Sequence, residues 1–223
     1  MTLILNPDNH VDYRLAAKLP LEEEQLCKAK EIIRAANLPI VLDIGANIGL
    51  YTVSLGLLPE VAQVHAFEPV RANFNQLCGN IFLNNLDGKV EAHRIAVGSS
   101  RSTAVIHVEP ASTGRSRLDP AYSGDAEAFT HRETVEVFRL DEFLPITGQR
   151  IFAKIDVEGH AVDALKGMRD LLANNVVVIQ AELLEYDRDQ IIACLRQSGY
   201  DLCAQIDVDG YFCPGGDLAA LGV

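Results

Sequence analysis

The sequence has little of what proteins need to bind nucleic acid, to cross a membrane or to be secreted. Lysine and arginine number 19 against 31 aspartate and glutamate residues, which gives a net charge of −12. Because sequence-independent binding to nucleic acid or anionic lipid needs a basic surface, we expect neither as a partner. No apolar run approaches the ~18 residues of a membrane-spanning helix. Residues 1–13 also lack the basic and apolar regions of a signal peptide.

The sequence also lacks the cysteine patterns of disulfide-rich and zinc-binding proteins. Its five cysteines are an odd number, and no two of them are spaced C-x-x-C. Disulfide frameworks and zinc sites depend on such pairs, so we expect neither, and no other spacing in the chain requires a metal. Unpaired thiols are typical of the reducing cytosol, which makes a cytoplasmic location the prediction.

What the sequence does have is an alternation of strand and helix patterns, in a chain of 223 residues that suits one domain with an insertion. Short apolar runs alternate with segments of helical periodicity, which is typical of a doubly wound parallel α/β sheet with helices on both faces. An Asp209-Gly210 turn indicates that the last two strands are antiparallel. The predicted strands are 40–44, 61–68, 90–97, 151–157, 176–183, 200–206 and 210–213, and the predicted helices are 21–36, 50–58, 71–84, 161–173 and 189–198.

The alternation is interrupted between residues 99 and 150. Two strand-like runs, 104–108 and 134–140, flank a polar stretch at 109–133 that contains too much glycine and proline for a regular helix. We interpret the segment as a β-hairpin insertion that carries a mobile lid, with a plain solvated loop as the alternative. The acidic run at 22–24 is interpreted as a solvated helix face.

The first chemical motif follows the strand at 40–44, where Asp43-Ile44-Gly45-Ala46-Asn47-Ile48-Gly49 leads into a helix. Ligands of open α/β sheets bind at the carboxyl ends of the strands, and a helix N-terminus offers free N–H groups to an anion. Gly45 permits a tight turn with no Cβ in the way of a ligand, and Gly49 permits close helix packing. Asn47 stands where a dinucleotide-binding loop has its second glycine, so the loop suits an amino-acid carboxylate better than a pyrophosphate. Asp43 is then available for the ammonium group.

The second motif is His65-Ala66-Phe67-Glu68-Pro69, at the end of the next predicted strand. A carboxylate at this place can hold the two hydroxyls of a ribose. Together with the glycine turn it indicates a nucleoside ligand, and both NAD and S-adenosylmethionine contain that ribose. The missing second glycine favours S-adenosylmethionine, and a nicotinamide-dependent oxidoreductase is the alternative from another enzyme class.

These motifs, with a third, resemble the FkbM-type methyltransferases. The matching segments are VLDIGANIGLYT at 41–52, HAFEP at 65–69 and KIDVEG at 154–159, within a resemblance that spans roughly residues 38–185. The resemblance implies the class I methyltransferase fold, a Rossmann-like, mostly parallel sheet of seven strands whose last strand is antiparallel. It also implies S-adenosylmethionine as the cofactor and methyl transfer to a hydroxyl of a sugar or natural product.

The resemblance further implies roles for residues of the matching segments. The glycine turn would hold the methionine end of the cofactor, Glu68 the ribose hydroxyls, and Asn73 and Ala96 would lie near the adenosine. Asp156 would lie close to the methyl group. The cofactor-binding set implied in this way is Asp43, Gly45, Asn47, Gly49, Tyr51, Thr52, Glu68, Pro69, Asn73, Ala96 and Asp156.

Methyl transfer to a hydroxyl needs a group that takes the hydroxyl proton. The candidates at the predicted strand ends are Asp156, Glu158, His160 and Glu182. His160 has the best-suited unperturbed pKa, of about 6.5, whereas Glu182 closes an apolar strand, where an acid is hard to explain by packing. A metal held by Asp156, Glu158 and Glu182 could instead lower the pKa of a bound hydroxyl, although no spacing demands it.

Acceptor choice is expected to depend on the segments outside the core. In the insertion, Arg115, Ser116 and Arg117 are candidates for binding an anionic acceptor. We divide the chain into a leader and helix at 1–36, which serves as a lid or a homodimer contact, and a methyltransferase domain at 37–223 with the 99–150 insertion. The leading prediction is O-methylation of a small-molecule hydroxyl. N-methylation by the same fold and a non-catalytic nucleoside-binding domain stay open.

Overall fold

The computed structural model describes residues 1–19, 21–109, 112, 116 and 130–222. Its helices are α1 (His10–Ala16), α2 (Glu23–Ala35), α3 (Leu50–Gly56), α4 (Arg71–Leu83), α5 (Leu140–Phe143), α6 (Ala161–Lys166), α7 (Arg169–Asn174) and α8 (Arg188–Gln197). Its strands are β1 (Ile40–Ile44), β2 (Gln63–Phe67), β3 (Val90–His93), β4 (Ala96–Val97), β5 (Ser102–Val108), β6 (His131–Phe138), β7 (Arg150–Ile155), β8 (Val176–Glu182), β9 (Tyr200–Ile206) and β10 (Asp209–Pro214).

A seven-stranded sheet in the order β3-β2-β1-β7-β8-β10-β9 forms the centre of the fold. Neighbouring strands are parallel except around β10, which runs antiparallel to both β8 and β9. The predicted sheet, mostly parallel with an antiparallel strand at the C-terminal end, is therefore confirmed. The strand order reverses at β1, which lies between β2 and β7. Ligand crevices of open α/β sheets form at the carboxyl ends of the strands beside such a reversal.

Both faces of the central strands are buried, which explains their continuous apolar character. Along β1, Val41 packs in the hydrophobic core formed with α2, α3 and α4, while Leu42 and Ile44 pack in the core on the opposite face with α6, α7 and α8. The strand ends that carry the predicted site residues are thus held from both sides by close-packed side chains.

Two predicted elements are divided in the structure. The strand predicted at 90–97 becomes β3 in the large sheet and β4 in a three-stranded sheet with β5 and β6, since Ala96 pairs with Val137. The helix predicted at 161–173 is interrupted between α6 and α7 at Gly167, where a Cβ would lie 2.0 Å from the backbone oxygen of Gly98. Both breaks result from contacts between distant segments, which local periodicity does not reveal.

The N-terminal segment contains helix α1, where the sequence indicated only an irregular leader. Three side-chain amides at i, i+4 and i+8, two on α4 and one on the residue that caps its C-terminus, bind the segment that precedes α1. Gln76 donates to the carbonyl of Ile4 (2.9 Å), and Asn80 accepts from the N–H of Ile4 (2.6 Å). Asn84 bonds both backbone groups of Thr2, at 2.9 and 2.6 Å. Side-chain amides thus satisfy the backbone N–H and C=O groups of this segment, as a neighbouring strand would do in a sheet.

The insertion contains an antiparallel hairpin, as predicted. In the pairing of β5 with β6, Ser102 lies opposite Val137 and Val108 opposite His131. Most of the polar stretch between the two strands lies outside the described residues, so the lid stays a prediction.

Two expectations about covalent and membrane features can be compared with the part of the chain that the structure describes. The five cysteines form no disulfide there, and Cys213 is the buried one. None of the described helices is long and apolar enough to cross a membrane.

Candidate functional site

A cavity of about 400 Å³ opens at the carboxyl ends of β1, β2, β7 and β8. This volume lies within the range of small-molecule binding pockets. The cavity wall brings together most of the side chains that the sequence singled out. The predicted site residues that line it are Asp43, Gly45, Asn47, Tyr51, Glu68, Pro69, Ala96, Ser116, Asp156, Glu158, His160 and Glu182.

Three residues of the predicted cofactor-binding set are not part of the cavity lining. Gly49 immediately precedes α3 with φ +91°, and a Cβ there would lie 2.7 Å from a side-chain carbon of Leu77, so this glycine serves helix packing as expected. Thr52 and Asn73 each donate a hydrogen bond to a carboxylate of the wall. These residues position the wall instead of forming its surface.

The glycine turn has the predicted shape, but Gly45 is required there for a reason other than the predicted one. Gly45 has φ +89°, and a Cβ there would lie 1.8 Å from the backbone oxygen of Asp156. The space beside Gly45 is thus filled by the chain after β7 and is not left open for a ligand. The N–H groups of Gly45 and Ala46 both donate to the carbonyl of Phe67 at 3.0 Å, so they are not free to bind an anion. The turn joins the ends of β1, β2 and β7.

Glu68, at the end of β2, is held in place by three donors. Its carboxylate accepts from the N–H of Asn47 (2.9 Å), the N–H of Val70 (2.8 Å) and the amide of Asn73 (3.5 Å). The side chain is 4% exposed, and this burial raises the pKa of Glu68 to about 7, although the donors oppose the shift. A carboxylate fixed in this way presents a defined acceptor to the hydroxyls of a ligand.

Asp43 lies below the turn, at the inner end of the cavity. Its Oδ2 accepts from the hydroxyl of Thr52 at 2.6 Å. The side chain is almost fully buried, and burial raises the pKa of Asp43, while Lys154 and the Thr52 hydroxyl lower it. Thr52 therefore orients the one carboxylate that β1 contributes to the site.

Lys154 is a functional candidate that the sequence analysis missed. Its Nζ lies 2.6 Å from Oδ2 of Asp156, 3.8 Å from Oε2 of Glu22 and 4.4 Å from the ring centre of Tyr51. Burial lowers the pKa of Lys154, but the surrounding groups, Asp156 and Glu22 foremost, together raise it well above its usual value, so the ammonium stays charged. The alternation of β7 could have revealed this residue, because side chains at i and i+2 share one face of a strand.

A buried polar layer supports Tyr51 from the far side. Gln180 on β8 donates to the hydroxyl of Tyr51 at 2.9 Å and to Asp209 on β10 at 2.8 Å. Burial raises the pKa of Tyr51 far above its usual range, so its hydroxyl stays neutral. The ring of Tyr51 is thereby fixed under the ammonium of Lys154.

Glu182 is the last residue of β8 and lines the cavity together with Asp156 and Glu158. Burial raises its pKa to about 9, and the negative charges of Asp156 and Glu158 add to the shift. Its carboxyl group therefore keeps its proton at neutral pH and can donate a hydrogen bond. Glu182 lines the cavity, as expected from the sequence. It differs from the expectation in being a protonated hydrogen-bond donor and not a base.

His160 lies at the start of α6, between the cavity and Asp163. Its Nε2 is buried and lies 3.3 Å from Oδ2 of Asp163. Asp163 in turn accepts from the N–H of Ser99 at 3.1 Å. Burial lowers the pKa of His160 although Asp163 raises it, so the imidazole is neutral at pH 7. The site thus contains the neutral imidazole of His160 with the carboxylate of Asp163 beside its Nε2.

The N-terminal helix and the insertion also reach the cavity. His10, Val11 and Arg14 of α1 line it, although the sequence indicated no site residue there. In the insertion, the hydroxyl of Ser116 is buried and has no hydrogen-bond partner among the described residues. Arg115 and Arg117 lie outside those residues, so their roles stay predictions.

A metal held by Asp156, Glu158 and Glu182 is the alternative that the sequence left open. Within the described residues, the side chains that bring three ligand atoms within 4.8 Å of one another are His65, Glu91 and His93, none of which lines the cavity. Two of them, His65 and His93, share a 3.3 Å contact between ring nitrogens across β2 and β3. No step of the chemistry proposed below depends on a metal.

The cavity wall suits a nucleoside that carries an amino-acid tail. Glu68 offers a fixed carboxylate for ribose hydroxyls, and Asp43 offers a second one for an ammonium group. The apolar side chains of Val70 and Ile95, which line the same wall, suit the faces of a flat base. S-adenosylmethionine has all three of these parts.

Comparisons with known proteins agree with this chemistry. The family model of the methyltransferase FkbM domain matches residues 43–202. Methyltransferase 1 of Beauveria bassiana (strain ARSEF 2860) is 30% identical, with 78% of this chain and 79% of that protein covered. Methyltransferase sdnD of Sordaria araneosa is 31% identical, with 74% of each chain covered.

Solved structures show the same fold at lower identity. Methyltransferase FkbM from Methylobacillus flagellatus KT matches with a TM-score of 0.52 and 18% identity over 79% of this chain and 43% of that one. This chain thus spans less than half of that protein. Precorrin 8w decarboxylase from Methanobacterium thermoautotrophicum matches with a TM-score of 0.52 and 15% identity, over 90% of this chain and 80% of that one.

The fold predicted from the sequence is thus confirmed as that of the class I methyltransferases. The match over 43–202 and the relatives at about 30% identity decide against the nicotinamide-dependent oxidoreductase. The chain belongs to the FkbM methyltransferase family, and its cofactor is S-adenosylmethionine.

Proposed function

We propose that this protein methylates a hydroxyl group of a small molecule, with His160 as the general base. When bound, S-adenosylmethionine supplies an electrophilic methyl group on a positively charged sulfur. A hydroxyl becomes a competent nucleophile only when a positioned group removes its proton. The observation that carries the proposal is the neutral imidazole of His160 at the cavity wall, with Asp163 3.3 Å behind it.

The surroundings of His160 support its role as the base. With Nε2 beside Asp163, Nδ1 is the nitrogen that takes the proton of the acceptor. Asp163 then stabilises the imidazolium that forms, and the N–H of Ser99 holds Asp163 in place at 3.1 Å. Burial opposes the ionisation of Asp163, but the pKa of its carboxyl group is lowered overall, mainly by the hydrogen bonds from Ser99.

Two of the other base candidates, Asp156 and Glu182, are ion-paired or protonated. Asp156 is ion-paired with Lys154 at 2.6 Å, and Glu182, with a pKa of about 9, carries a proton at neutral pH. We assign Asp156 to positioning and Glu182 to donating a hydrogen bond toward the ligand. Glu158, which lines the cavity, is the second candidate for the base.

The acceptor that we propose is a hydroxyl of a sugar or natural product. A cavity of about 400 Å³ suits a small molecule and not a macromolecule. A relative from Streptomyces tacrolimicus, 25% identical over 75% of each chain, is a methyltransferase named for 31-O-demethyl-FK506. We therefore assign this protein to natural-product chemistry. We further propose that it acts in the cytoplasm, without a nucleic-acid or membrane partner. We also propose that α1 forms a lid over the acceptor side of the cavity.

A transfer assay tests the reaction. The protein is incubated with S-adenosylmethionine labelled in its methyl group and with matched panels of alcohols and amines, and the products are identified by mass spectrometry. We expect methyl ethers from glycosides or polyketide alcohols. Label on the amine panel alone would replace the proposal with N-methylation, and label on neither panel in the presence of cofactor binding would favour a non-catalytic domain.

Variants then test the assigned base. We expect His160→Gln to lower kcat by about 10²- to 10⁴-fold and to leave the affinity for S-adenosylhomocysteine within about twofold. His131→Gln, which removes a 54% exposed histidine on β6, is the matched control. Unchanged turnover in His160→Gln would remove His160 from the mechanism, and a large loss in Glu158→Gln would move the role there.

A separate binding measurement tests the cofactor residues. Glu68→Ala removes the acceptor that we assign to the ribose hydroxyls, so S-adenosylhomocysteine should no longer raise the melting temperature appreciably. Glu91→Ala, on the neighbouring β3 and exposed, is the control. An undiminished shift in Glu68→Ala would show that the ribose lies elsewhere.

A further inference from the structure

Glu22 is a cavity residue that lies outside the segment matched by the family model. The acidic run at 22–24 was interpreted as a solvated face, which holds for Glu23 and Glu24 but is wrong for Glu22. Glu22 precedes α2 with φ +53°, a left-handed backbone conformation that non-glycine residues rarely adopt. Such conformations persist where surrounding contacts enforce them, and they are concentrated at functional sites.

The side chain of Glu22 approaches the ammonium of Lys154, which is already ion-paired with Asp156. Its carboxylate lies 3.8 Å from Nζ of Lys154, and the same ammonium lies 2.6 Å from Asp156. Two carboxylates and one ammonium leave one negative charge beside the cavity. Lys154 is 5% exposed and the Glu22 side chain 31% exposed, so solvent screens this group less than it would screen a fully exposed one.

The charge matters because the cofactor loses its own charge in the reaction. S-adenosylmethionine carries a positive sulfur, and S-adenosylhomocysteine, the product, has a neutral one. Apart from the transferred methyl group the two molecules are the same, so a change in the ratio of their affinities when one charge is removed reports the electrostatic potential at the sulfur. At an effective dielectric constant of about 20, one negative charge within about 8 Å of the sulfur would change that ratio by roughly tenfold or more.

We propose that Glu22 sets the preference of the cavity for the charged cofactor over the neutral product. The proposal rests on the cofactor assignment and not on the identity of the acceptor. With Glu22 neutral, Lys154 and Asp156 compensate each other, so the group of three loses its net negative charge while Glu158 stays as it is. The N-terminal segment thus contributes a specificity residue that aids product release.

The experiment compares both ligands on the full chain without an acceptor. Dissociation constants of S-adenosylmethionine and S-adenosylhomocysteine are measured by calorimetry for the wild type, Glu22→Gln and Glu22→Asp. We expect Glu22→Gln to weaken S-adenosylmethionine by about tenfold while S-adenosylhomocysteine changes by less than about twofold. Glu22→Asp keeps the charge and should keep most of the wild-type ratio.

Glu23→Gln is the matched control, because it makes the same change of net charge one residue away, on an exposed side chain. An unchanged ratio in Glu22→Gln, or the same change in Glu23→Gln, would overturn the proposal. A parallel loss of both ligands would show a merely structural role and would also overturn it. If Glu22→Gln does not fold, Glu22→Ala takes its place in the same comparison. Failure of the wild type to bind either ligand would instead contradict the cofactor assignment.

Discussion

The two ends of the cavity are held together by different interactions. At the turn end (Asp43, Gly45, Asn47 and Glu68), carboxylates accept hydrogen bonds from nearby N–H and hydroxyl groups, and steric fit sets the backbone. At the charged end (Glu22, Lys154, Asp156, Glu158 and Glu182), one ammonium serves two carboxylates and a third acid keeps its proton. The turn end is therefore governed by geometry, and the charged end by Coulomb interactions.

This difference predicts different responses to change. Hydrogen bonds from backbone donors depend little on the salt concentration and not on a neighbouring charge, although their acceptor Glu68, with a pKa of about 7, itself titrates near neutral pH. Ion pairs and shifted acids depend on every charge around them, so removal of one member affects the others. Variants at the charged end should show coupled and pH-dependent effects, and variants at the turn end should show steric ones.

The largest effect is expected from Lys154→Met. The substitution leaves Asp156 and Glu22 without their cation, and losing one partner of a buried pair costs about 3 kcal/mol or more in the free energy of unfolding. Lys166→Met, on an exposed position of α6, should cost little and is the control for the loss of a lysine. Urea unfolding measures both. A cost below about 1 kcal/mol for Lys154→Met would mean that the charged end is solvated like a surface.

Gly45→Ala tests the turn end. Its Cβ would lie 1.8 Å from the backbone oxygen of Asp156, at a φ of +89°. Strain and overpacking together should lower the free energy of unfolding by about 2–4 kcal/mol. Gly148 has a similar φ of +68° and nothing within 4 Å of its Cβ position.

Gly148→Ala is therefore the matched control, since it carries the backbone strain without the collision. It should cost only about 1 kcal/mol. Equal costs for the two variants would mean that the collision at Gly45 is relieved by a small movement of the chain after β7, and that geometry does not govern the turn end.

The sequence allowed the turn end to be predicted almost completely, because its residues lie in two short motifs beside strand ends. Asp43, Asn47 and Glu68 are where the motifs indicated, but the reason for Gly45 differed, and the N–H groups expected to bind an anion donate to Phe67 instead. The charged end was predicted only in part. Asp156, Glu158 and Glu182 follow strands, but Glu22 lies in a different part of the chain, and its approach to Lys154 depends on how α2 packs against the sheet.

The same limit explains the other differences in the fold. The split between β3 and β4 and the interruption at Gly167 depend on a partner strand and on the backbone of Gly98. The sequence of α1 has too few turns for periodicity to identify it, and its attachment uses side chains of α4. Local patterns predict an element when its own residues decide its shape, and they fail where a distant segment decides.

A pH series on Glu182→Gln should sharpen the contrast. The folded pKa of about 9 lies above the ordinary glutamate value of 4.5, so the group favours folding fully below pH 4.5, and this contribution is lost as the pH rises toward 9. Glutamine imitates the protonated acid at every pH. The linkage limit of about 1.4 kcal/mol per pH unit, reduced by roughly half for partial exposure, gives the variant a relative gain of about 2 kcal/mol between pH 5 and pH 8.

Glu136→Gln, on an exposed position of β6, controls for the loss of one negative charge and should show no such trend. The free energies of unfolding from chemical denaturation at each pH provide the measurement. A Glu182→Gln variant whose advantage is the same at pH 5 and pH 8 would mean that Glu182 ionises normally, and the base assignment to His160 would lose one of its supports.

The smallest effect, and the most specific, is expected from Asn84→Ala. The variant removes two hydrogen bonds to Thr2, worth about 1 kcal/mol, and loosens the segment that leads to α1. Hydrogen exchange should be faster in that segment, with Asn75→Ala, exposed on α4, as the control. Because α1 contributes His10, Val11 and Arg14 to the cavity, the KM for the acceptor should rise while the affinity for S-adenosylhomocysteine stays constant. A parallel loss of cofactor affinity would mean that the N-terminal segment serves both ends of the cavity, and that the two ends are not independent.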